Sequence, residues 1–201
     1  EAIKKNKSTT PIWFASSVVV YGSNNKSLKE DFDRNPISYY ALSKYLCENV
    51  GKFYCDNFKV NVGIMRIFST FGPGLKKLVV FDTIKKIKSK DNFKVFGTGD
   101  EIRDLAFIDD QVRTISLLTN KIKKPQADIY NIAAGKPYTI KSIVKRLVKI
   151  SKKKVSFEFT NKRRSFDTKN FIADKSKTNK IIGSIKKTAI DVAFQKTYNS
   201  I

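Results

Sequence analysis

The sequence contains no histidine. That removes serine-triad catalysis of the usual kind and most zinc sites built on imidazole, so no metal site is expected. Cysteine is nearly absent as well. Cys47 and Cys55 stand eight residues apart on an expected helix, about 12 Å along its axis, which is beyond the reach of a disulfide. Both are expected to be reduced core thiols. No apolar run approaches the roughly 18 residues of a membrane-spanning helix, and no signal peptide opens the sequence, so a cytoplasmic protein without a membrane partner is expected. Acidic residues are scarce, 18 against 40 Lys and Arg, for a net charge of +22. Such an excess raises nucleic acid as a partner. The lysines, however, fall in short scattered groups such as Lys85, Lys86, Lys88 and Lys90, or Lys152 to Lys154, and form no stripe. A solvated basic surface is the reading preferred over a polyanion site. Among nine glycines none forms Gly-x-x-Gly-x-x-Gly or Gly-x-Gly-x-x-Gly after a strand, the turn that seats a dinucleotide pyrophosphate on a helix N-terminus. Gly97 and Gly99 precede a strand and read as a turn. Residue 1 is Glu, the single methionine is Met65, and EAIKKNK reads as the end of a helix begun earlier, so a C-terminal fragment is expected.

What is present is one domain's worth of chain, 201 residues with an ordinary 41% hydrophobic content, enough for a sizeable core. The central stretch is Phe14 to Lys44. A β-branched run there ends at a Ser pair, a polar loop follows, and a helix is predicted from Ser38 to about Asn57 with Tyr39, Leu42, Leu46 and Val50 as its apolar positions. Tyr40 and Lys44 lie one turn apart on one face of that helix. A nearby ammonium favours the phenolate of a tyrosine, and such a phenol can exchange a proton with a sugar hydroxyl near neutral pH. Further on, strands are predicted at Val60 to Phe68, Phe93 to Phe96, Leu105 to Ile108, Ile129 to Ile132 and Val155 to Phe159. Helices are predicted at Leu75 to Lys90, Asp109 to Asn120 and from an N-cap at Thr139 to Ile150, with two more starting near Asp174 and Thr188. The cluster Ser69 to Gly74 reads as a turn and a domain boundary.

These segments resemble the extended short-chain dehydrogenase/reductase family, specifically its NAD-dependent sugar-nucleotide epimerases and dehydratases, and the likeness covers nearly the whole chain. The family's Ser-Ser-x-x-Val-Tyr-Gly stands at Ser16 to Gly22, and its Tyr-x-x-x-Lys at Tyr40 to Lys44. Its Arg-x-Phe-Asn-x-Tyr-Gly-Pro-Gly stands at Arg66 to Gly74 with Ser69 in place of the Asn. Its aromatic-Gly-x-Gly-x-x-x-Arg-Asp stands at Phe96 to Asp104, Tyr130 to Gly135 matches its late strand and turn, and its Arg-x-x-Asp falls on Arg164 and Asp167. The resemblance implies an α/β fold: the C-terminal half of a Rossmann-like doubly wound parallel sheet plus a small α/β substrate-binding domain. Residues 1–73 would belong to the NAD-binding domain, with about 109–135 returning to it, and 74–108 and 136–201 to the substrate-binding domain.

The resemblance also implies the roles. Tyr40 would be the catalytic base, Lys44 its electrostatic support and a ribose contact, and Ser17 a donor to the sugar oxygen. Ser16 and Ile67 would lie against the NAD. For a nucleoside-diphosphate sugar, Ser69 would meet the diphosphate region, Phe96 the base, Arg103 and Arg164 phosphate, and Asp167 a ribose hydroxyl; Lys77 could also touch phosphate, a role for which its neighbour Lys76 competes. In this family the two residues after Ser17 face the sugar, and its 4,6-dehydratases carry an Asp-Glu pair there. Both are valine here, Val18 and Val19, which can neither take nor give a proton. The expectation is therefore a 4-epimerase, homodimeric when full length, with a 4-keto-sugar reductase or dehydratase as the alternative within the family. An inactive fragment and a basic nucleic-acid-binding or regulatory protein on the same fold are the alternatives outside it.

Overall fold

The computed structural model describes residues 1–6, 8–23, 26–162 and 170–201. After a single helical turn, α1 (Ala2–Lys5), strand β1 (Ile12–Ser17) leads into a 3-10 turn (Val18–Tyr21), and helix α2 (Tyr39–Phe58) leads into β2 (Val62–Ile67). There follow β3 (Ser69–Phe71), α3 (Leu78–Ser89), β4 (Asn92–Val95), β5 (Ile102–Phe107), α4 (Ile108–Lys121), β6 (Gln126–Ile132), β7 (Pro137–Thr139) and α5 (Ile140–Ser151). The described chain closes with β8 (Ser156–Phe159), β9 (Asn170–Phe171), α6 (Ser176–Ile182) and α7 (Ile190–Asn199). The short pieces β3, β7, β9 and the 3-10 turn lack the length for a readable apolar pattern, and the expected turn at Ser69 to Gly74 opens with one of them.

Strands β1, β2 and β6 form a parallel three-stranded sheet in that order. Side chains alternate across a strand, and parallel strands are buried on both faces. Here Phe14, Val62 and Ile64 pack with Cys55 of α2 on one face, while Trp13, Met65, Ile67 and Ile132 pack with Leu118 of α4 and Ile182 of α6 on the other. Helices on both faces of a parallel sheet make the arrangement doubly wound and Rossmann-like. A second apolar core lies around α3, α5 and α7. It joins Phe71, Ile84, Ile87, Phe93, Phe107, Val144, Leu147 and Phe194 beneath the sheet of β3, β5, β7 and β9 and the parallel pair β4 and β8.

The inward face of α2 differs from the sequence expectation. Tyr39, Leu42, Leu46 and Val50 are all exposed, Tyr39 by 94%, and the buried positions are Ala41, Glu48, Gly51 and Cys55. The reason is close approach. A Cβ on Gly51 would stand 3.0 Å from Phe14 and Val62, so small residues let the helix settle onto the sheet while its large apolar side chains point away. Cys47 shares the exposed side, so only Cys55 is the core thiol expected, its ionisation pushed up by burial. Among the described residues no helix is long and apolar enough to cross a membrane.

Candidate active site

The parallel register sets Ser16 beside Arg66 and Ser17 beside Ile67 at the carboxyl end of β1 and β2, and Arg66 beside Asn131 of β6. Ligands of doubly wound folds bind at that end of the strands. Ser17 caps the 3-10 turn, its hydroxyl accepting from Val19 N at 3.5 Å. The turn closes at Gly22, whose φ of +66° suits glycine and where a Cβ would strike the Asn35 carbonyl. It swings the chain into the loop that returns at Ser38, the N-cap of α2, whose hydroxyl accepts from Ala41 N at 3.1 Å. Tyr40 thus sits in the first turn of α2 with 57% of its surface open. Lys44 reaches the sheet, its Nζ donating to the Ala15 carbonyl at 2.9 Å and standing 5.8 Å from the Tyr40 ring centre. A phenol, an ammonium and a hydroxyl are therefore carried by two adjacent elements at one end of the sheet, with no carboxylate or imidazole at the two positions after Ser17. Val18 turns into the core and Val19 is half-buried against the same apolar group, so Val18 does not present itself to an open site as the family pattern suggests.

Ser16 is committed elsewhere. Its hydroxyl donates to Glu48 Oε1 at 2.5 Å, so its proton is not available to a bound group. Glu48 in turn accepts from Arg66 Nε at 2.9 Å and Nη2 at 2.7 Å, and Arg66 Nη1 donates to the Glu30 carbonyl at 3.1 Å. The Tyr21 ring lies 4.5 Å from the guanidinium, and its hydroxyl donates to Asn131 Oδ1 at 2.8 Å. Burial works against the Arg66 charge, but the bonds to Glu48 and the nearby Tyr21 outweigh it and hold the guanidinium more firmly protonated. Burial pushes the Tyr21 phenol up. Neither the role of Arg66 nor that of Glu48 follows from the sequence motifs. The available signals were a lone arginine in an apolar strand and a carboxylate one helical turn beyond Lys44.

A second locus is a cavity of about 280 Å³ beside α3. Ser69, Lys77, Phe96 and Arg103 all line it, so the structure brings together four of the expected substrate residues. Phe96 is 42% exposed, Arg103 donates to the Ile102 carbonyl at 2.9 Å, and its guanidinium lies 5.1 Å from the Phe171 ring. The turn before Arg103 is fastened by Glu101, which accepts from Thr98 N and Gly99 N at 2.9 Å each. Burial alone would raise this carboxyl, yet those bonds hold it below its ordinary value. Asp104, fully buried, accepts from Ala134 N and Gly135 N at 2.9 Å, and burial raises it in spite of them. It joins β5 to the end of β6. Arg164 and Asp167 lie outside the described residues. Tyr40, Lys44, Ser17, Ser16 and Ile67 do not line the cavity; they form the separate group at the sheet end. Among the described residues no cluster of acidic residues and cysteines suits a metal ion.

The protein is thus a doubly wound α/β fold with a tyrosine and a lysine one helical turn apart at the sheet end, and a separate cavity walled by an aromatic ring and basic residues. Residues 1–133 match the family described as NAD dependent epimerase/dehydratase. The chain belongs to that family. It is 30% identical over 190 residues to UDP-glucuronate 4-epimerase of Thermodesulfobacterium geofontis, an alignment covering 92% of this chain and 57% of the relative. Among solved structures it resembles UDP-glucuronic acid 4-epimerase from Bacillus cereus in complex with UDP-glucuronic acid and NAD, at a TM-score of 0.88 and 25% identity over 94% of this chain and 60% of that one. A UDP-N-acetylglucosamine 4-epimerase from Methanobrevibacter ruminantium M1 gives a TM-score of 0.87 at 25% identity, covering 99% of this chain and 64% of that one. The chain thus spans about three fifths of the length of these proteins.

Proposed function

We propose that the protein is an NAD-dependent epimerase acting at C4 of a nucleoside-diphosphate sugar, and that Tyr40, Lys44 and Ser17 do the chemistry. The observation carrying this reading is the Tyr40–Lys44 pair one turn apart on α2, with Lys44 held to the Ala15 carbonyl; neither residue after Ser17 is an acid or a base, so this stretch supplies no catalyst for elimination. The C4 hydroxyl gives its proton to the Tyr40 oxygen. For that the Tyr40 oxygen must start as the phenolate, whose charge Lys44 stabilises until the proton neutralises it, and Ser17 donates to the sugar oxygen. NAD, where bound, would supply the reversible hydride acceptor for C4. The residues present fit one end of that dinucleotide. Ser17 and Ile67 share a rung at the ligand-binding end of the sheet, beside Tyr40 and Lys44, but no glycine-rich turn follows a strand to seat the pyrophosphate. The relatives named for UDP-sugar 4-epimerisation support the substrate class.

In the cavity we read Ser69, Lys77 and Arg103 as diphosphate contacts and Phe96 as a platform for the base; Arg164 and Asp167 keep the phosphate and ribose roles the motif implies. Residues 1–73 with about 109–135 are read as the NAD-binding domain, and 74–108 with 136–201 as the substrate-binding domain. The exposed apolar row of Tyr39, Leu42, Leu46, Val50 and Phe53 on α2 supports a homodimer. Leu46→Glu should then yield monomers in sedimentation velocity. Two unpaired thiols suit a cytoplasmic setting. The test is to give the full-length protein UDP-glucuronate, UDP-glucose or UDP-N-acetylglucosamine and analyse the products. The C4 epimer without net NADH release is expected. A 4-keto-6-deoxy product, or stoichiometric NADH consumption with a 4-keto sugar, would reassign it to a dehydratase or a reductase.

A further inference from the structure

We propose that the buried Glu48–Arg66 pair is a positioning device that holds the Tyr40–Lys44 face of α2 in register with Ser17 at the end of β1; this rests on the role given to Tyr40 above. Residues 40, 44 and 48 recur every four positions, so they run down one side of the helix. Two of them are tied to β1, Lys44 through the Ala15 carbonyl at 2.9 Å and Glu48 through the Ser16 hydroxyl at 2.5 Å. The same carboxylate is held in a fork by Arg66 of β2, the residue paired with Ser16 in the ladder. Glu48 therefore grips two strands at one rung, and the next rung is Ser17 beside Ile67. Arg66 is itself fixed on its far side by the Glu30 carbonyl and the face of Tyr21, and Tyr21 by Asn131 on the third strand of that rung. Sliding or turning α2 by a fraction of a residue breaks these bonds together.

Stability alone does not call for such a pair. Its two side chains are 0% and 5% exposed, and an apolar pair of equal volume at such a site is commonly neutral or stabilising, because charges lose their hydration on burial. What apolar contacts lack is direction. A forked carboxylate bonded to two strands admits one helix rotation, and proton transfer requires the phenol and the serine hydroxyl to be held to about 0.5 Å.

The test compares full-length wild-type protein with Ser16→Ala/Glu48→Leu/Arg66→Met, which removes the pair and leaves no hydroxyl stranded, and with Glu48→Gln, which keeps the size. The triple variant should unfold at or above the wild-type temperature while kcat falls about 10²-fold and KM for the nucleotide sugar stays within about twofold. Unchanged kcat in the folded triple variant would overturn the proposal. Should the triple variant fail to fold, Glu48→Gln decides: a lower kcat at constant KM supports it and wild-type kcat overturns it. Crystal structures of wild type and variant give a reading independent of turnover. A Tyr40 Oη to Ser17 Oγ separation that changes by about 0.5 Å or more is expected, and an unchanged one overturns the inference even where absence of epimerisation has already refuted the proposed reaction.

Discussion

The two halves of the candidate site are built on opposite plans. At the sheet end, the groups proposed to react stand next to a buried polar rung of Ser16, Arg66 and Asn131, closed by Glu48, in which each polar group meets a directed partner. At the cavity, the base is an aromatic core with Phe71 and Phe194 5.0 Å apart, and the polar groups are long side chains on its rim, such as Lys77 and Arg103. Directed bonds fix geometry, and apolar packing fixes shape. A phenol that exchanges a proton needs the first, whereas a diphosphate, which any cation within a few ångströms attracts, tolerates looser placement of long side chains on a shaped rim. Substitutions at the sheet end should therefore act on rate, and substitutions at the cavity on affinity.

Tyr40→Phe in the full-length protein tests that division most severely. It removes one half-exposed hydroxyl, so the unfolding temperature should stay within a degree or two, while kcat for C4 epimerisation should fall by about 10²- to 10⁴-fold. Steady-state kinetics on the variant that gave wild-type turnover would remove Tyr40 from the chemistry and dissolve the contrast.

Next come two losses of stability of similar size and different origin. Arg66→Leu leaves Glu48 buried without its counter-charge, at an expected cost of about 3–5 kcal/mol. Phe194→Ala empties the second core, also at about 3–5 kcal/mol. Urea denaturation measures both. If the plans differ as argued, adding Glu48→Leu should recover most of the Arg66→Leu loss, and no single polar change should recover that of Phe194→Ala. Equal rescue of both would show that the two halves are held by the same kind of packing.

How far these plans could be read from the sequence differs in the same way. The long elements were legible because apolar periodicity is a local property. β2 reads as a buried strand, and α5 begins at the expected cap, Thr139, whose hydroxyl accepts from Ser142 N at 3.1 Å. Tyr40, Lys44 and Ser17 were legible as a motif. The inward face of α2 was not, because periodicity says where apolar residues lie on a helix and not which side meets the sheet. There Gly51 and Ala41 decided by allowing close approach. Nor was the Glu48–Arg66 pair legible: its partners are 18 residues apart and joined only by the strand register.

At the cavity, Arg103→Ala should weaken binding of UDP about tenfold or somewhat more, the worth of a hydrogen bond to a charged group. It should change stability little, since the side chain is half-buried over Phe171. Isothermal titration with UDP alone avoids any dependence on NAD. A variant that kept its UDP affinity and instead lost turnover would move Arg103 to the other side of the comparison.

The smallest effect concerns Lys175, where burial, and next the neighbouring Lys187, bring the ammonium down from 10.5 to about 8. It lies against Gly135, just beyond the end of β6. Its pKa is depressed in the folded state, so between pH 8 and 10.5 the unfolded chain binds more protons than the folded one. Stability contributed by this group must then rise with pH across that window, and below it the full cost of burying the charge is borne. Lys175→Met removes the charge and keeps the bulk of the stem. It should raise the unfolding temperature by a few degrees at pH 7, with the gain shrinking through pH 9 and gone by about pH 10.5. Thermal melts of wild type and variant at these pH values provide the check. A gain that stayed constant with pH would mean that the methionine merely packs better. A loss at pH 7 would mean that the Lys175 ammonium is held by partners worth more than its burial costs, as the charged groups of the sheet end are.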